Sequence, residues 1–318
     1  MYIKQGWFVI MTAVKKKRKT MSIRQQEAMT AYIFVAPFVL GYLVFTFIPM
    51  LFSIFISFID FNRLGHLEHV LGGMVEFVGF KNFIRIFTDE IALEAFLKSF
   101  LYILYFVPGR MVFGLLLAVF FNNEFYLRKL SRTLVLVPYV TNIVAVTIIF
   151  AIILDKNGIV NSILKVLGVN DPPMWLFNAS TVLPVTAFIG VWQSLALVVI
   201  VYLAALQGVP TELYEACLLD GASSVQKFFH VTLPLISPTT FFLIVNNVIL
   251  AFSNFALIKN LTGGGPGTAS RVAVINIYEE AFAFNHYSYA AAQSIVMFII
   301  ILIFSAIQWK GQKKWVHY

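Results

Sequence analysis

Residues 208–234 read GVPTELYEACLLDGASSVQKFFHVTLP and lie between two long apolar stretches. Glu212 and Glu215 are expected in the opening turns of a helix, because acidic side chains favour the positive helix end, and Thr211 is its predicted cap. Gly221 is expected to end this helix, since glycine readily adopts the left-handed conformation that closes many helices. The first half of the segment is therefore predicted to be one short helix.

The second half of the segment predicts another short helix. Ser223 and Gln226 have the spacing of a capping box, and Pro234 is expected to end the helix. Apolar residues between them recur at positions i, i+3 and i+4 of one face: Val225, Phe228 and Phe229. Two short helices joined at a glycine, with an apolar stripe, are typical of a docking surface.

The composition around this segment indicates a membrane protein. Of 318 residues, 60% are hydrophobic and 12% are charged, and the mean hydropathy is +0.85. Soluble domains have roughly 45–50% apolar and about 25% charged residues. Because a chain of this length cannot bury so much apolar surface away from water, soluble enzymes, disordered proteins, secreted disulfide scaffolds and coiled coils are excluded.

Apolar stretches long enough to cross a bilayer, which takes roughly 20 residues in a helix, occur six times. They cover residues 31–59, 98–121, 132–154, 181–206, 234–258 and 287–309. The predicted fold class is an all-α polytopic membrane protein with six transmembrane helices, and the even number places both termini on one side.

The positions of Lys and Arg predict the orientation and the organisation of the chain. Fourteen Lys and Arg residues lie near the two termini and in the loops after the second and fourth spans, against eight in the longer loops on the other side, and the side richer in these residues is cytoplasmic. The basic run 15–19 is expected to fix topology and contact anionic lipid rather than nucleic acid. We predict a multi-pass protein of the cell (plasma or inner) membrane with both termini cytoplasmic. Its parts would be a basic extension 1–30, a transmembrane domain 31–309 that includes a cytoplasmic loop 208–233, and a tail 310–318.

Arg110 is a charge in the middle of the second span, where it costs about 2.5–3.5 kcal/mol on insertion scales. It must therefore face protein or water. It is interpreted as an arginine satisfied by carbonyls freed at Pro108 or by a neighbouring subunit, with a role in a solute pathway as the alternative. Amides in the fourth and fifth spans likewise need a partner helix or a polar ligand.

Metal and nucleotide chemistry have little support in the sequence. The single cysteine, Cys217, excludes an intramolecular disulfide framework and a four-cysteine metal site. His66 and His69 are three apart, but no third ligand has suitable spacing, so they are interpreted as loop residues. No Walker sequence occurs, and no Lys-Ser/Thr follows the glycines at 263–265. We predict no metal site and no ATP hydrolysis by this chain.

The loop carries a specific resemblance. Its pattern Glu215-Ala216-x-x-x-Asp220-Gly221-Ala222, followed by Phe228-Phe229 and Leu233-Pro234, resembles the coupling loop of binding-protein-dependent ABC importer permeases. Stretches 78–83, 158–161 and 261–267 resemble segments of the sugar branch of that family, in particular the larger permease of maltose, multiple-sugar and glycerol-phosphate systems. The similarity covers nearly the whole chain from about residue 30 to residue 309.

This resemblance implies the type I ABC importer permease fold and a set of partners. It implies a second homologous permease, two ATPase subunits that are identical or different, an extracytoplasmic solute-binding protein and a sugar as solute. ATP and Mg²⁺ would be bound by the ATPase partners, with no cofactor and no catalytic residue in this chain. The positions implied to couple to the ATPase are Glu215, Ala216, Asp220, Gly221, Ala222, Phe228 and Phe229.

The resemblance also implies where solute is bound. Positions in the spans that flank the loop carry over to Gln193, Ser194, Asn247 and Asn254. Amides suit hydroxyl-rich solutes, because they both donate and accept hydrogen bonds. Phe252 and Trp192 are candidate aromatic platforms, whereas Leu197 and Ala251 depart from the maltose pattern and place maltose itself in doubt.

Two other functions remain open from the sequence. An importer for a non-sugar solute such as glycerol phosphate, an amino acid or a polyamine would share the same loop. A membrane-embedded glycosyltransferase would need paired carboxylates or a metal site. The adjacent acidic pairs, Asp89-Glu90 and Glu279-Glu280, have no second acidic cluster close in sequence, which disfavours the enzyme. A purely structural scaffold would leave the loop and the membrane-depth amides unexplained.

Overall fold

The computed structural model describes residues 22–61, 76–123, 126 and 128–316. The basic run 15–19 and the pair His66 and His69 lie outside these residues. The chain divides into two compact units, one up to Ser53 and one from Ile54 onward. Within the described residues all regular elements are helices, apart from one isolated β-bridge between Ile59 and Phe77. The predicted all-helical class is confirmed.

The helices are numbered here in chain order. They are α1 Ile23–Ser57, α2 Lys81–Thr88, α3 Glu90–Asn122, α4 Arg128–Val140, α5 Ile143–Ile153, α6 Ile159–Val166, α7 Val182–Gln207, α8 Thr211–Leu219, α9 Ser224–Leu235, α10 Ser237–Phe252, α11 Phe255–Leu261, α12 Ala273–Phe282 and α13 Tyr287–Gly311. Short π-helical turns interrupt α1 at Leu43–Phe47 and α9 at Phe228–Thr232.

Four helices in the described residues are long and apolar enough to cross a membrane, namely α1, α3, α7 and α13. Two further pairs pass the same test together but are bent, α4 with α5 by 98° and α9 with α10 by 67°. Counting each bent pair as one span gives six. The predicted third span is bent, because Asn142 caps a new helix by accepting from the Val144 amide at 2.8 Å.

The core of the second unit is built around α3 and α7. Glycines let these helices approach closely: a Cβ added to Gly114 would lie 2.5 Å from the Val198 side chain, and one added to Gly190 would lie 2.9 Å from the Tyr102 hydroxyl. Small residues at helix contacts are the usual means of close packing in membranes. Helix α10 packs against the same pair through buried side chains such as Val248. This three-helix core positions the sites described below.

The first unit is different, because its described part has no buried side chain. Large apolar residues of α1 such as Phe34, Phe38 and Phe45 are exposed along its length. A helix that is apolar on all sides suits a lipid environment or a helical partner.

Candidate functional site

The turn after α8 fixes the shape of the loop predicted to couple. The Gly221 amide donates to the Leu218 carbonyl at 3.1 Å, and the Ala222 amide donates to the Cys217 carbonyl at 2.9 Å. These two bonds form a Schellman motif, which requires a left-handed residue after the helix. Gly221 supplies that conformation with φ +75°. The predicted left-handed glycine is confirmed.

A capping box begins α9 directly after that turn. The Gln226 amide donates to the Ser223 hydroxyl at 3.3 Å, and the Ser223 amide donates to the Gln226 side chain at 2.8 Å. The predicted capping box is therefore present. The hydroxyls of Tyr214 on α8 and Thr232 on α9 lie 2.9 Å apart in a hydrogen bond. The two short helices are thus joined at both ends, and the second connection was missed from the sequence.

Two local details differ from the sequence prediction. Thr211 was wrongly predicted as the cap of α8, since Pro210 occupies that position without a side-chain bond. Pro234 does not end α9, which continues to Leu235 and bends at Ile236, whose φ and ψ are −89° and 4°. The π-helical turn at 228–232 lies just before Pro234 and shifts the hydrogen-bonding register there, so that helical backbone continues past this proline.

The loop exposes the positions predicted to couple. Glu215, Ala216, Asp220, Gly221 and Phe229 are exposed, and Ala222 and Phe228 are half-buried. Apolar side chains stand beside them: Leu219 is 91% exposed, Val225 is 66% exposed and Phe229 is 57% exposed. Exposed apolar groups clustered on a rigid segment mark an interaction surface. We call this exposed set, Leu218, Leu219, Val225 and Phe229, the loop apolar surface.

A second polar site lies inside the helical core. The side chain of Arg110 on α3 is 1% exposed. Its Nε and Nη2 donate to the Ser194 carbonyl of α7 at 3.0 and 2.5 Å, and its Nη1 donates to Asn247 Oδ1 of α10. Arg110 is thus satisfied by protein groups, as interpreted from the sequence. The carbonyl that it uses is that of Ser194 and not one freed at Pro108.

The two asparagines predicted to touch solute both face α3. Asn247 accepts from Arg110 and donates to the Met111 sulfur at 3.2 Å. Asn254 donates to the Tyr102 hydroxyl at 2.6 Å. Asn247 lies on α10, whereas Asn254 lies in the break between α10 and α11. Their shared partner helix therefore depends on packing and not on one helix face.

The other positions predicted to contact solute differ from one another in exposure and in the groups that they contact. Ser194 is buried and donates its hydroxyl to the Gly190 carbonyl at 2.6 Å, whereas Gln193 is half-buried next to it. The candidate platform Phe252 is 2% exposed and packs against Phe100 and Phe304, so it serves the core in this structure. Trp192 is partly exposed and makes an edge contact with Phe150.

The acidic residues considered for enzyme chemistry have structural partners. Asp89 caps α3 and accepts from the Tyr289 hydroxyl at 2.8 Å. Glu279 pairs with Lys259 and Arg271, and Glu280 pairs with His286. In the described part of the chain, no group of three or more His, Cys, Asp or Glu could hold a metal ion.

A cavity of about 700 Å³ opens at the end of the core opposite the loop. It lies between the residues after α5 and the glycine turn after α11, and its lining includes Asp155, Asn157, Phe177, Thr262 and Pro266. In the glycine turn, Gly263 and Gly264 have φ values of +61° and +95°. One side of the cavity is thus formed by this glycine-rich turn, through Thr262, Gly265 and Pro266.

Comparison with protein families and curated proteins gives consistent matches. Residues 110–313 match the model of the binding-protein-dependent transport system inner membrane component. The chain is 34% identical to the probable ABC transporter permease protein YesP of Bacillus subtilis (strain 168), over 96% of both chains. It is 32% identical to the arabinooligosaccharides transport system permease protein AraP of the same organism, over 88% of this chain and 87% of that one.

Two further matches extend the comparison. The sn-glycerol-3-phosphate transport system permease protein UgpA of Yersinia pestis is 32% identical over 76% of this chain and 82% of its own length. The crystal structure of a bacterial ABC transporter that imports the acidic polysaccharide alginate contains a chain with a TM-score of 0.75. That chain is 24% identical in sequence to this one, and the match covers 96% of that chain and 91% of this chain. The last match shows a shared fold.

Proposed function

Since the chain belongs to the family of binding-protein-dependent transport system inner membrane components, we propose that it is the sugar-transporting permease subunit of an ATP-driven importer. Members of this family are transport components of the membrane rather than enzymes. The observation that carries the proposal is the rigid, exposed pair of helices α8 and α9, which offers an ATPase a preformed docking surface. The solute would be a sugar or oligosaccharide.

The complex that we propose has four kinds of component. A second homologous permease would complete the membrane channel, and two ATPase subunits would bind ATP and Mg²⁺ beneath it. An extracytoplasmic binding protein would deliver the solute on the opposite face. Both termini of this chain and the loop 208–233 would be cytoplasmic, since this side of the six-span arrangement carries the larger number of Lys and Arg residues.

The relatives support a sugar as the solute. AraP is described as a permease for arabinooligosaccharides, and the fold match comes from an alginate importer. Gln193, Ser194, Asn247 and Asn254 remain our candidates for solute contact. In this structure Asn247 and Asn254 are bonded to α3, so a role in solute contact requires those bonds to open during transport.

A phosphorylated solute is the second candidate, because UgpA is described as a glycerol-3-phosphate permease. Such a solute needs an available cation. Arg110 is buried and bonded, and Lys259 and Arg271 share the carboxylate of Glu279. These three cations are therefore occupied, which favours a neutral sugar.

The test is co-purification followed by uptake. The chain, tagged after Tyr318, is extracted gently from its native membrane, and stoichiometric partners are identified by mass spectrometry. We expect a second multi-span permease and an ATPase, and then uptake of the sugar that the associated binding protein retains. Purification of the chain alone, or with biosynthetic enzymes and no ATPase, would contradict the proposal.

A further inference from the structure

The loop of α8 and α9 is flanked by two helices, α7 before it and α10 after it, and Arg110 bonds to both. Its guanidinium donates twice to the Ser194 carbonyl on α7 and once to Asn247 on α10. Arginine suits such a bridge, because its planar fork presents several donors in fixed directions. One side chain on α3 therefore bonds to both helices that flank the loop, α7 and α10.

The packing shows what this bridge adds. Helices α3 and α7 already interlock, since Gly109 and Gly114, on either side of Arg110, face Val191 and Val198. Helix α10 joins that pair through apolar contacts and one polar link, Arg110 with Asn247. A second polar link, Tyr102 with Asn254, lies just beyond the end of α10 at Phe252. Tyr102 and Arg110 are eight residues apart, so the links are separated by roughly 12 Å along α3. The Arg110 link is the one closer to the loop.

The partners of Arg110 are uncharged. Within the described ranges, no carboxylate forms an ion pair with it. A carbonyl and an amide oxygen satisfy the guanidinium, while the Phe106 ring centroid lies 5.7 Å from its Cζ atom. A buried cation at membrane depth is costly to keep, and such residues commonly serve function.

We propose that Arg110 is a positioning residue that makes α3, α7 and α10 move as one body when the loop is displaced. The inference rests on the proposed function, because it assumes that an ATPase displaces the loop. Without the bridge, α10 would move relative to the interlocked pair of α3 and α7 when the loop is displaced. ATP would then still drive loop movement, but the movement would not be transmitted to all three helices.

The experiment measures one distance in the complete importer, assembled with companion permease and ATPase. In a Cys217→Ser background, spin labels are attached to cysteines replacing Asn122 at the end of α3 and Phe242 near the start of α10. Both positions are exposed. The distance distribution is recorded without nucleotide and with ATP and vanadate. We expect the two distributions to coincide when Arg110 is present.

Two variants remove the bridge in different ways. Arg110→Met removes all donors, and Asn247→Leu removes only the acceptor on α10 while the bonds to Ser194 remain. In both we expect the distribution to shift with nucleotide by more than its wild-type width. In Arg110→Met, ATP hydrolysis should stay within about twofold of wild type, a change of about 0.4 kcal/mol. Arg132→Met is the matched control, because Arg132 on α4 also donates to a carbonyl, that of Phe121 on α3.

Each outcome decides the inference. Coincident distributions in both variants would overturn it, as would a wild-type distance that itself changes with nucleotide. If neither variant assembles, the bridge serves assembly alone and the inference is wrong. Failure of the wild-type chain to recruit any ATPase would instead contradict the proposed function, so the two failures are distinguishable.

Discussion

Two neighbouring asparagines show how the position on a helix face decides what a side chain does. Asn246 is exposed and donates to the Phe242 carbonyl of its own helix at 2.8 Å. Asn247, one residue later and about 100° around the helix, is buried and accepts from Arg110. Residue type alone does not separate them, because both are amides in an apolar span.

Gly221 carries the sharpest prediction for a single residue. We expect Gly221→Asp to leave membrane insertion intact while lowering solute uptake about tenfold or more, which corresponds to about 1.4 kcal/mol or more. A side chain in left-handed conformation costs about 1–2 kcal/mol, and the new carboxylate would lie beside the loop apolar surface. Uptake by cells and the amount of protein in the membrane are the two measurements.

Gly168 provides the control for that substitution. It also has a positive φ, +93°, and no atom stands within 4 Å of an added Cβ at either glycine. Gly168→Asp should therefore impose similar backbone strain far from the loop and retain uptake. Equal loss of uptake in both variants would show that strain, rather than coupling, explains the effect.

At the scale of elements, the capping box of α9 has a duplicate elsewhere in the chain. Ser22 with Gln25 caps α1 in the same manner as Ser223 with Gln226 caps α9. We expect Ser223→Ala to cost about 1 kcal/mol of local stability and to weaken ATPase binding severalfold. Ser22→Ala should cost a similar amount and leave binding unchanged. Titration of purified ATPase onto the solubilised permease checks this, and equal binding by both variants would contradict it.

The loop apolar surface gives a second prediction at this scale. Leu219→Asp places a charge where an apolar contact is expected, so we predict that ATPase recovered by co-purification falls about tenfold, or about 1.4 kcal/mol. Val166→Asp is the matched control, since Val166 on α6 is 87% exposed on the other side of the membrane core. Unchanged recovery with Leu219→Asp would remove this surface from the docking site.

Features that depend on residues close in sequence were mostly predicted correctly, and features that depend on how helices pack were not. The turn at Gly221 and the capping box at Ser223 depend on residues within one or two helical turns, and both were predicted. The bend at Asn142 was not, because continuous hydropathy across 132–154 hides a change of direction. The break before the fifth span was expected at Pro234, two residues before the bend at Ile236. The partners of Arg110 depend on how α3, α7 and α10 pack, which no local pattern reports.

For the whole molecule, the single cysteine makes the orientation testable. Cys217 lies on α8 in the loop. We predict that a membrane-impermeant maleimide labels it in inverted vesicles stripped of peripheral proteins and fails to label it in intact cells. The reason is that the Lys and Arg distribution places the loop on the cytoplasmic side.

The reverse experiment uses the opposite face. Ala179 is exposed in the segment before α7. In a Cys217→Ser background, Ala179→Cys should be labelled in intact cells and protected in sealed inverted vesicles. Labelling of both positions from the same side would contradict the assignment of α7, which lies between them, as a membrane-crossing helix.

The turn between α8 and α9 also has an entropic consequence. Its backbone and side-chain bonds, including that between Tyr214 and Thr232, are all internal to the loop. The loop therefore loses most of its conformational entropy during folding. Little further entropy is lost when another protein binds to it. A preorganised loop of this kind can keep its conformation while the cleft of the bound partner opens and closes. The loop then need not refold in each transport cycle.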